Sequence, residues 1–481
     1  MADFIVAIEL GSSKITGIAG KKNLDGSIKV LAVVKEDATS CIRKGVVNNI
    51  DKTVQALSNV IKKLENILKT KIARVYVGVN GQSIRSEKNI IVKQLPADTK
   101  VTVDMVNGLM DANRSMQYPD QEILDAVTQE YKVDNQLQVD PTGFICTRLE
   151  GNFLNILWRK SFYRNLNRCF ENAGIAIAEM YLSPLALADA VLTDAERRGG
   201  CVLVDLGAET TTVAVYYRDI LRHLAVIPLG SNNITKDLTS LQMEDKTAEE
   251  MKLKYAAAYT DSSEIDMGKT YPIDHDRSID MPKFVEIVEA RVQEIIENAW
   301  HQVPDEYVGK LLGGIVLTGG GSNMKDIGKA FKILTHTDKV RIAGSVTTTI
   351  ISKSPAITAK DGTMCTVLGL LAKGNMNCAG SEISDSLFQN EQPANNASAQ
   401  PILTHSTTEN GKGIIKTEAE KAAEEAAKRK QEEEEERRRQ QEAEEEEERR
   451  RKKRENSWFH KAVNGLKSFG RKMVEEEEDE K

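Results

Sequence analysis

The chain has 481 residues, 40% of them hydrophobic and 28% charged, with a formal net charge of −7. That length exceeds what one simple core organises and calls for two or three domains plus extra segments. The negative balance argues against a general nucleic-acid binder, whose fold carries a basic surface.

The N-terminus, MADFIVAIELGSS, lacks the basic start and long apolar core of a signal peptide. No stretch reaches the roughly 20 apolar residues of a membrane span. A cytoplasmic location is expected, with any membrane contact peripheral. Six cysteines (Cys41, Cys146, Cys169, Cys201, Cys365, Cys378) form no C-x-x-C pair and no disulfide framework. Free thiols, mostly buried, are expected.

The runs FIVAIEL, KVLAVV, RVYVGV, CVLVDLG, TTVAVYY and GGIVLTGG read as strands. VQALSNVIKKLENILK reads as an amphipathic helix, with Val54, Leu57, Ile61, Leu64 and Leu68 on one face. Such alternation predicts an α/β architecture with mixed sheets. Two strand–turn units, AIELGSSKITGIAG and LVDLGAETTTVAVYY, share a plan. Each has an apolar strand, an acidic residue, a glycine two places on, small hydroxyl residues and a second apolar strand. The repeat suggests two similar domains facing each other.

These units carry phosphate chemistry. Gly11 and Gly207 let backbone N–H groups approach an anion closely. Ser12, Ser13, Thr210 and Thr211 offer hydroxyl donors, and Lys14 adds positive charge. Glu9 and Asp205 sit at strand ends, where a carboxylate can hold Mg²⁺. A third element, GGIVLTGGGSNMKDIGKAF, is a strand followed by Gly319, Gly320 and Gly321, with Ser322 opening a helix. Its glycines leave room for a flat ring or ribose; a plain tight strand–helix turn is the other account of them.

Composition changes near residue 379. Residues 379–455 read as a disordered linker, rich in Ser, Asn, Gln, Thr and Pro, that continues into a charged single helix or extended tether. Residues 456–474 then place Trp458, Phe459, Ala462, Val463, Leu466, Phe469 and Met473 on one helical face, with Lys461, Lys467, Arg471 and Lys472 opposite. Such a helix suits the interface of an anionic membrane, Trp458, Phe459, Val463, Leu466, Phe469 and Met473 inserting. Docking on the chain's own core or on a partner is the alternative. Residues 475–481 are an acidic end.

The order of hairpin, helix, hairpin, glycine loop and helix resembles the actin, Hsp70 and sugar-kinase superfamily. YLSPLALADAVL matches the first connecting helix and SPAITAKDGTMCTVLGLLAKG the second. The resemblance implies a duplicated, ribonuclease H-like two-domain ATPase fold that binds ATP and Mg²⁺ in an interdomain cleft. The middle of the chain, VYVGVNGQSIRS and PDQEILDAVTQEYKVDNQLQVDPTGFICTRLEGNFLNIL, is similar to the inserted subdomain of the FtsA family of bacterial cell-division proteins. On that resemblance residues 1–83 and 161–198 make the first actin-like domain, 84–160 the insertion, and 199–378 the second domain, with 231–300 as its smaller subdomain. Glu249 and Lys252 match positions that flank adenine and ribose; a helical ion pair is the alternative.

The FtsA resemblance implies a division protein that self-assembles in an actin-like manner and binds the C-terminal peptide of FtsZ on residues 231–300. It implies recruitment of later division proteins and a peripheral place on the cytoplasmic face of the inner membrane at the septum. One departure stands out. The second loop usually reads Asp-x-Gly-Gly-Gly-Thr; here it is Asp205-Leu206-Gly207-Ala208-Glu209-Thr210. Glu209 is expected to bring negative charge near the phosphates, leaving at most a slow ATPase, and no catalytic base is identified. A small-molecule kinase of the superfamily, or another actin-like membrane-associated assembly protein, is the alternative. An Hsp70-like chaperone lacks its β-sandwich here.

Overall fold

The computed structural model describes residues 3–380 and 413–417, with the isolated helical positions Ala426, Arg429, Arg437 and Arg438. The amphipathic segment 456–474 and the acidic end 475–481 lie outside the described residues.

The first domain starts as a meander: β1 (Ile5–Leu10), β2 (Lys14–Lys22) and β3 (Ile28–Asp37). A small hairpin, β4 (Ile42–Arg43) with β5 (Val46–Val47), leads into α1 (Ile50–Leu68), which returns the chain to β6 (Val75–Val79) beside β1. The helix begins where Asn49 accepts the Lys52 N–H and ends at Lys69 in the left-handed region. Its face is wider than the sequence suggests. Thr53, Ala56, Leu57, Val60 and Leu64 are buried, whereas Val54, Ile61 and Leu68 flank them half-buried.

The chain then leaves for the inserted subdomain: β7 (Arg85–Lys100), α2 (Val103–Arg114), β8 (Gln121–Val133), β9 (Gln136–Gln138) and β10 (Ile145–Arg159). Leu109, Tyr131, Leu149 and Phe153 belong to a small core of its own. It returns through α3 (Lys160–Ala173), β11 (Ile177–Leu182), α4 (Ser183–Val191) and α5 (Asp194–Gly199).

The second domain repeats the first. The meander β12 (Cys201–Leu206), β13 (Thr211–Tyr217) and β14 (Ile220–Ile227) is followed by α6 (Ser231–Thr239), α7 (Asp245–Tyr255), and the hairpin β15 (Thr270–Pro272) and β16 (Ser278–Asp280). Then come α8 (Met281–His301), α9 (Asp305–Val308), β17 (Gly314–Thr318), α10 (Ile327–Thr335) and β18 (Val340–Ile342). Next come β19 (Ile350–Ile351), α11 (Pro355–Thr358), α12 (Cys365–Lys373) and β20 (Ile414–Ile415).

The duplication is explicit in the sheets. One runs β19-β3-β2-β1-β6-β11-β20; the other begins β18-β17-β12-β13-β14 and continues β7-β10-β8-β9 through the insertion. β3-β2-β1-β6-β11 and β14-β13-β12-β17-β18 are the same motif, with β1 and β12 central and covered on both faces. Hence Val6, Ala7 and Ile8 are fully buried, and Val202, Leu203 and Val204 nearly so. The insertion is pinned to β14 by Arg222, whose buried guanidinium donates to Gln129 (3.2 Å) and Glu130 (3.2 Å) on β8. All six cysteines are free and buried.

Two details differ from the sequence reading. The second connecting helix is broken: α11 and α12 are separated by a turn in which Lys360 and Gly362 have positive φ and Asp361 caps Thr363. That turn stops one helix and brings Asp361 near Lys14 and Lys35. In the expected linker, residues 413–417 return to the sheet as β20. Ile415 is 2% exposed there, because an aliphatic pair in a polar segment gains by burial.

Candidate functional site

The hairpin tips after β1 and β12 close identically. Leu10 pairs with Ile15 and Gly11 donates its N–H to the Lys14 carbonyl at 3.0 Å. Leu206 pairs with Thr211 and Gly207 donates to Thr210 at 2.9 Å. A Cβ on Gly207 would lie 2.7 Å from the Thr210 carbonyl, which is why that corner takes glycine. Both tips lie at the carboxyl ends of central strands, where α/β sheets place ligands.

One residue before each tip's final strand residue sits a carboxylate, Glu9 and Asp205, both half-buried. Withdrawal from water, then repulsion from Asp205, pushes Glu9 up to about 7, against the pull of Lys14, Lys35 and Thr366. Withdrawal from water raises Asp205 to about 6. Lys35, Asp361 and Thr366 were not singled out in the sequence. Burial opposes ionisation of Asp361, but Thr363 donates to it from N (3.0 Å) and Oγ1 (2.7 Å). With Lys14 and Lys35 nearby, its pKa is lowered. No local signal marks these three, which arrive from β3, the α11–α12 turn and α12.

Glu209, at the second tip, has several partners within the protein. Its carboxylate accepts the Lys44 N–H at 2.8 Å and lies 3.9 Å from Arg43 and 3.5 Å from Lys236. The next amide, Gly45 N–H, donates to Ser12 Oγ at 2.8 Å. The β4–β5 turn is thus held by both hairpin tips, one hydrogen bond to each. The negative charge that Glu209 brings to the second hairpin thus has partners: Arg43 and the Lys44 amide from the first domain, and Lys236 from α6.

Other expected contacts divide. Ser13 is exposed and Lys14 half-buried, with Lys14 beside Glu9. Thr210 is buried at the second tip, while the Thr211 hydroxyl donates to the Leu229 carbonyl (2.9 Å). Gly319 packs against Asp205 and Leu206, and Gly321 against Leu206, so the glycine loop abuts the second hairpin. Gly320 faces Thr363, and Ser322 donates its hydroxyl back to the Gly319 carbonyl at 2.7 Å. Beside this loop is an apolar recess lined by Leu206, Ile234, Gly321, Met324 and Ile327. Glu249 and Lys252 form an ion pair (2.6 Å); Lys252, 6% exposed, also donates to Thr235 Oγ1 (2.9 Å) and to the carbonyl of Ser231 (3.2 Å) at the recess. The pair lies within α7, and its contacts to Thr235 and Ser231 tie α7 to α6.

Among the described residues no group of three or more His, Cys, Asp or Glu side chains could hold a metal ion. The Glu9–Asp205 pair still fits Mg²⁺: two carboxylates that repel each other gain from a cation, and Mg²⁺ ordinarily keeps water and phosphate in its shell. Among the described residues no helix is long and apolar enough to cross a membrane.

The family model described as "Cell division protein FtsA" matches residues 202–369, and "SHS2 domain inserted in FTSA" matches residues 81–157. The chain is 31% identical over 339 residues to the cell division protein FtsA of Porphyromonas gingivalis, covering 69% of this chain and 71% of that one. It is 34% identical over 331 residues to that of Neisseria meningitidis (67% and 80%) and 31% over 332 residues to that of Bacillus subtilis (68% and 75%). Among solved structures, a PilM-PilN type IV pilus biogenesis complex superposes with a TM-score of 0.53 at 14% identity, covering 76% of this chain and 97% of that one. That likeness concerns the fold, which is α/β and actin-like.

Proposed function

The chain belongs to the FtsA family of cell-division proteins, and from that premise we propose that it binds ATP with Mg²⁺ between its two hairpins and anchors FtsZ polymers to the inner membrane. The observation that carries the nucleotide reading is the mirrored pair of hairpins, each with a carboxylate two residues before its glycine. Mg²⁺ held there would supply positive charge against the phosphates. Glu9 and Asp205 hold that ion's shell. Gly11–Lys14 and Gly207–Thr211 approach the phosphates with backbone, hydroxyl and ammonium groups. Gly319–Ser322 and the recess beside them take the adenosine, with Glu249 and Lys252 bracing its wall.

Nucleotide binding favours head-to-tail self-association, as heterologous contacts between identical subunits require. The tail helix carrying Trp458, Phe459, Val463, Leu466, Phe469 and Met473 enters anionic lipid weakly, and assembly raises its avidity. The protein then works at the cytoplasmic face of the septum, with the FtsZ C-terminal peptide on residues 231–300 and later division proteins as partners.

Titration calorimetry with MgATP on the full chain tests the cleft. Saturable binding that is lost in Gly207→Val supports it; no heat from the wild type at millimolar nucleotide removes it. Flotation with anionic vesicles tests the anchor separately. Removing residues 457–481 should abolish recovery and leave MgATP binding intact.

A further inference from the structure

Between Leu403 and Trp458 the sequence holds only two large apolar residues, Ile414 and Ile415. Both form β20, which pairs antiparallel with β11 through Met180↔Ile415 and Tyr181↔Ile414. Three parts of the molecule hold this short strand. Leu182 N–H on β11 donates to the Gly413 carbonyl at 2.7 Å. Gly413 N–H donates to Oδ2 of Asp125 at 3.0 Å, on β8 of the inserted subdomain. Tyr163 on α3 donates its hydroxyl to the Lys416 carbonyl. Asp125 is 2% exposed, so its carboxylate is a buried acceptor met by an incoming backbone amide. Gly413 has φ 73°, and a Cβ there would lie 3.2 Å from Leu185 Cβ. The groove accepts glycine at its head, then two aliphatic residues in extended form.

We propose that residues 413–417 are a releasable strap: an internal ligand that fastens the tail to the first domain and clamps the inserted subdomain against it. Main-chain pairing at a sheet edge supplies the attachment, and the buried Ile415 and the Asp125 acceptor supply the selectivity for this segment. A ladder of two residues with long polar segments on either side is the kind of element that opens locally without unfolding the core. Closed, the strap makes the tail segment leave the body at Thr417, roughly 40 residues before Ser457; open, it leaves at Gly380, roughly 75 residues before it. Full extension at about 3.3–3.6 Å per residue makes that nearly a doubling of maximum reach. The consequence for membrane reach rests on the tail reading above; the strap does not.

Hydrogen exchange and cross-linking on the full chain test it without lipid. In Ile415→Asp the Leu182 amide should exchange at least about tenfold faster, while the Val204 and Val213 amides in the other sheet keep their rates. A Met180→Cys, Ile415→Cys pair should form a disulfide within one chain under mild oxidant. Dyes on the body and at residue 457 should report a longer mean distance in Ile415→Asp than in the cross-linked protein. Unchanged Leu182 exchange in Ile415→Asp, or a cysteine pair that stays reduced, overturns the proposal. A disulfide found only between two chains also overturns it, since the groove would then serve a second copy. If Ile415→Asp unfolds the body, Gly413→Ala, which keeps both isoleucines, takes its place with the same readouts.

Discussion

At the first hairpin tip Gly11 is followed by Ser12, Ser13 and Lys14; at the second, Gly207 is followed by Ala208, Glu209 and Thr210. The backbones match, each glycine donating to the carbonyl three residues on at 2.9–3.0 Å. The charges do not. The first tip carries an ammonium beside Glu9, whereas the second sends a carboxylate across to the β4–β5 turn. Neither Ala208 nor Glu209 has a positive φ, so glycine is not demanded there by backbone conformation. What is duplicated is the corner that brings two strands around, and the side chains beyond it are free to diverge. Here the divergence joins the two domains: Ser12 and Glu209 accept successive amides, Gly45 and Lys44, of one turn.

The strongest way to break the symmetry is at the corners. Gly207→Val meets the Thr210 carbonyl at 2.7 Å, closer than the 3.0 Å that a Cβ on Gly11 finds at Lys14. Overpacking of this kind costs about 1–3 kcal/mol. Gly207→Val should weaken MgATP binding by about a hundredfold, or about 2.7 kcal/mol, and Gly11→Ala by less, both read by calorimetry. Weakened binding at only one of the two glycines would mean that only that corner approaches the ligand.

Next comes Glu209. Glu209→Ala leaves the Lys44 amide without its acceptor and should cost about 1–3 kcal/mol in urea unfolding. Glu209→Gln keeps an acceptor and removes only the charge. Arg43 and Lys236 are more than half exposed, so that loss should stay within about 1 kcal/mol. If Gln and Ala behaved alike, the amide contact would not matter.

The carboxylates at the strand ends predict a pH dependence. Glu9 is raised to about 7 and Asp205 to about 6, above their ordinary values near 4. A carboxyl group with a raised folded pKa holds its proton longer in the folded protein, so stability falls as pH rises from about 4 to about 7. Ligand-free protein should therefore be more stable to urea near pH 5.5 than near pH 8 as far as these two groups go, and Glu9→Gln should flatten the difference. A cation held by these carboxylates would favour their ionised forms, so on the proposed reading MgATP binding at pH 7 should release protons. Calorimetry in buffers of different ionisation enthalpy measures that release. The smallest effect is expected for Ser12→Ala, about 0.5–1.5 kcal/mol for one lost acceptor.

Much of this cleft is legible in the chain because it is local. The strand, the corner glycine and the preceding carboxylate lie within a few residues of one another, and Glu9 and Asp205 could be named from two short segments. Lys35, Asp361 and Thr366 could not. They reach the same cleft from β3, a turn between helices and α12, and nothing in their own neighbourhoods distinguishes them from surface residues. The partners of Glu209 are hidden from the sequence for the same reason: Arg43 and Lys44 are more than 160 residues away along the chain.

Taken alone, the amino-acid sequence determined the repeated α/β motif, the two hairpins and the polar character of the segment after residue 379, since hydrophobic period and glycine placement act over a few residues. The packing of the two domains decided the rest. It settled which hydroxyls are spent on backbone carbonyls, where Glu209 finds its partners, and that Ile414 and Ile415 complete a sheet edge. These outcomes depend on contacts between distant segments, and burial and hydrogen-bond partnership exist only once the chain has brought those segments together.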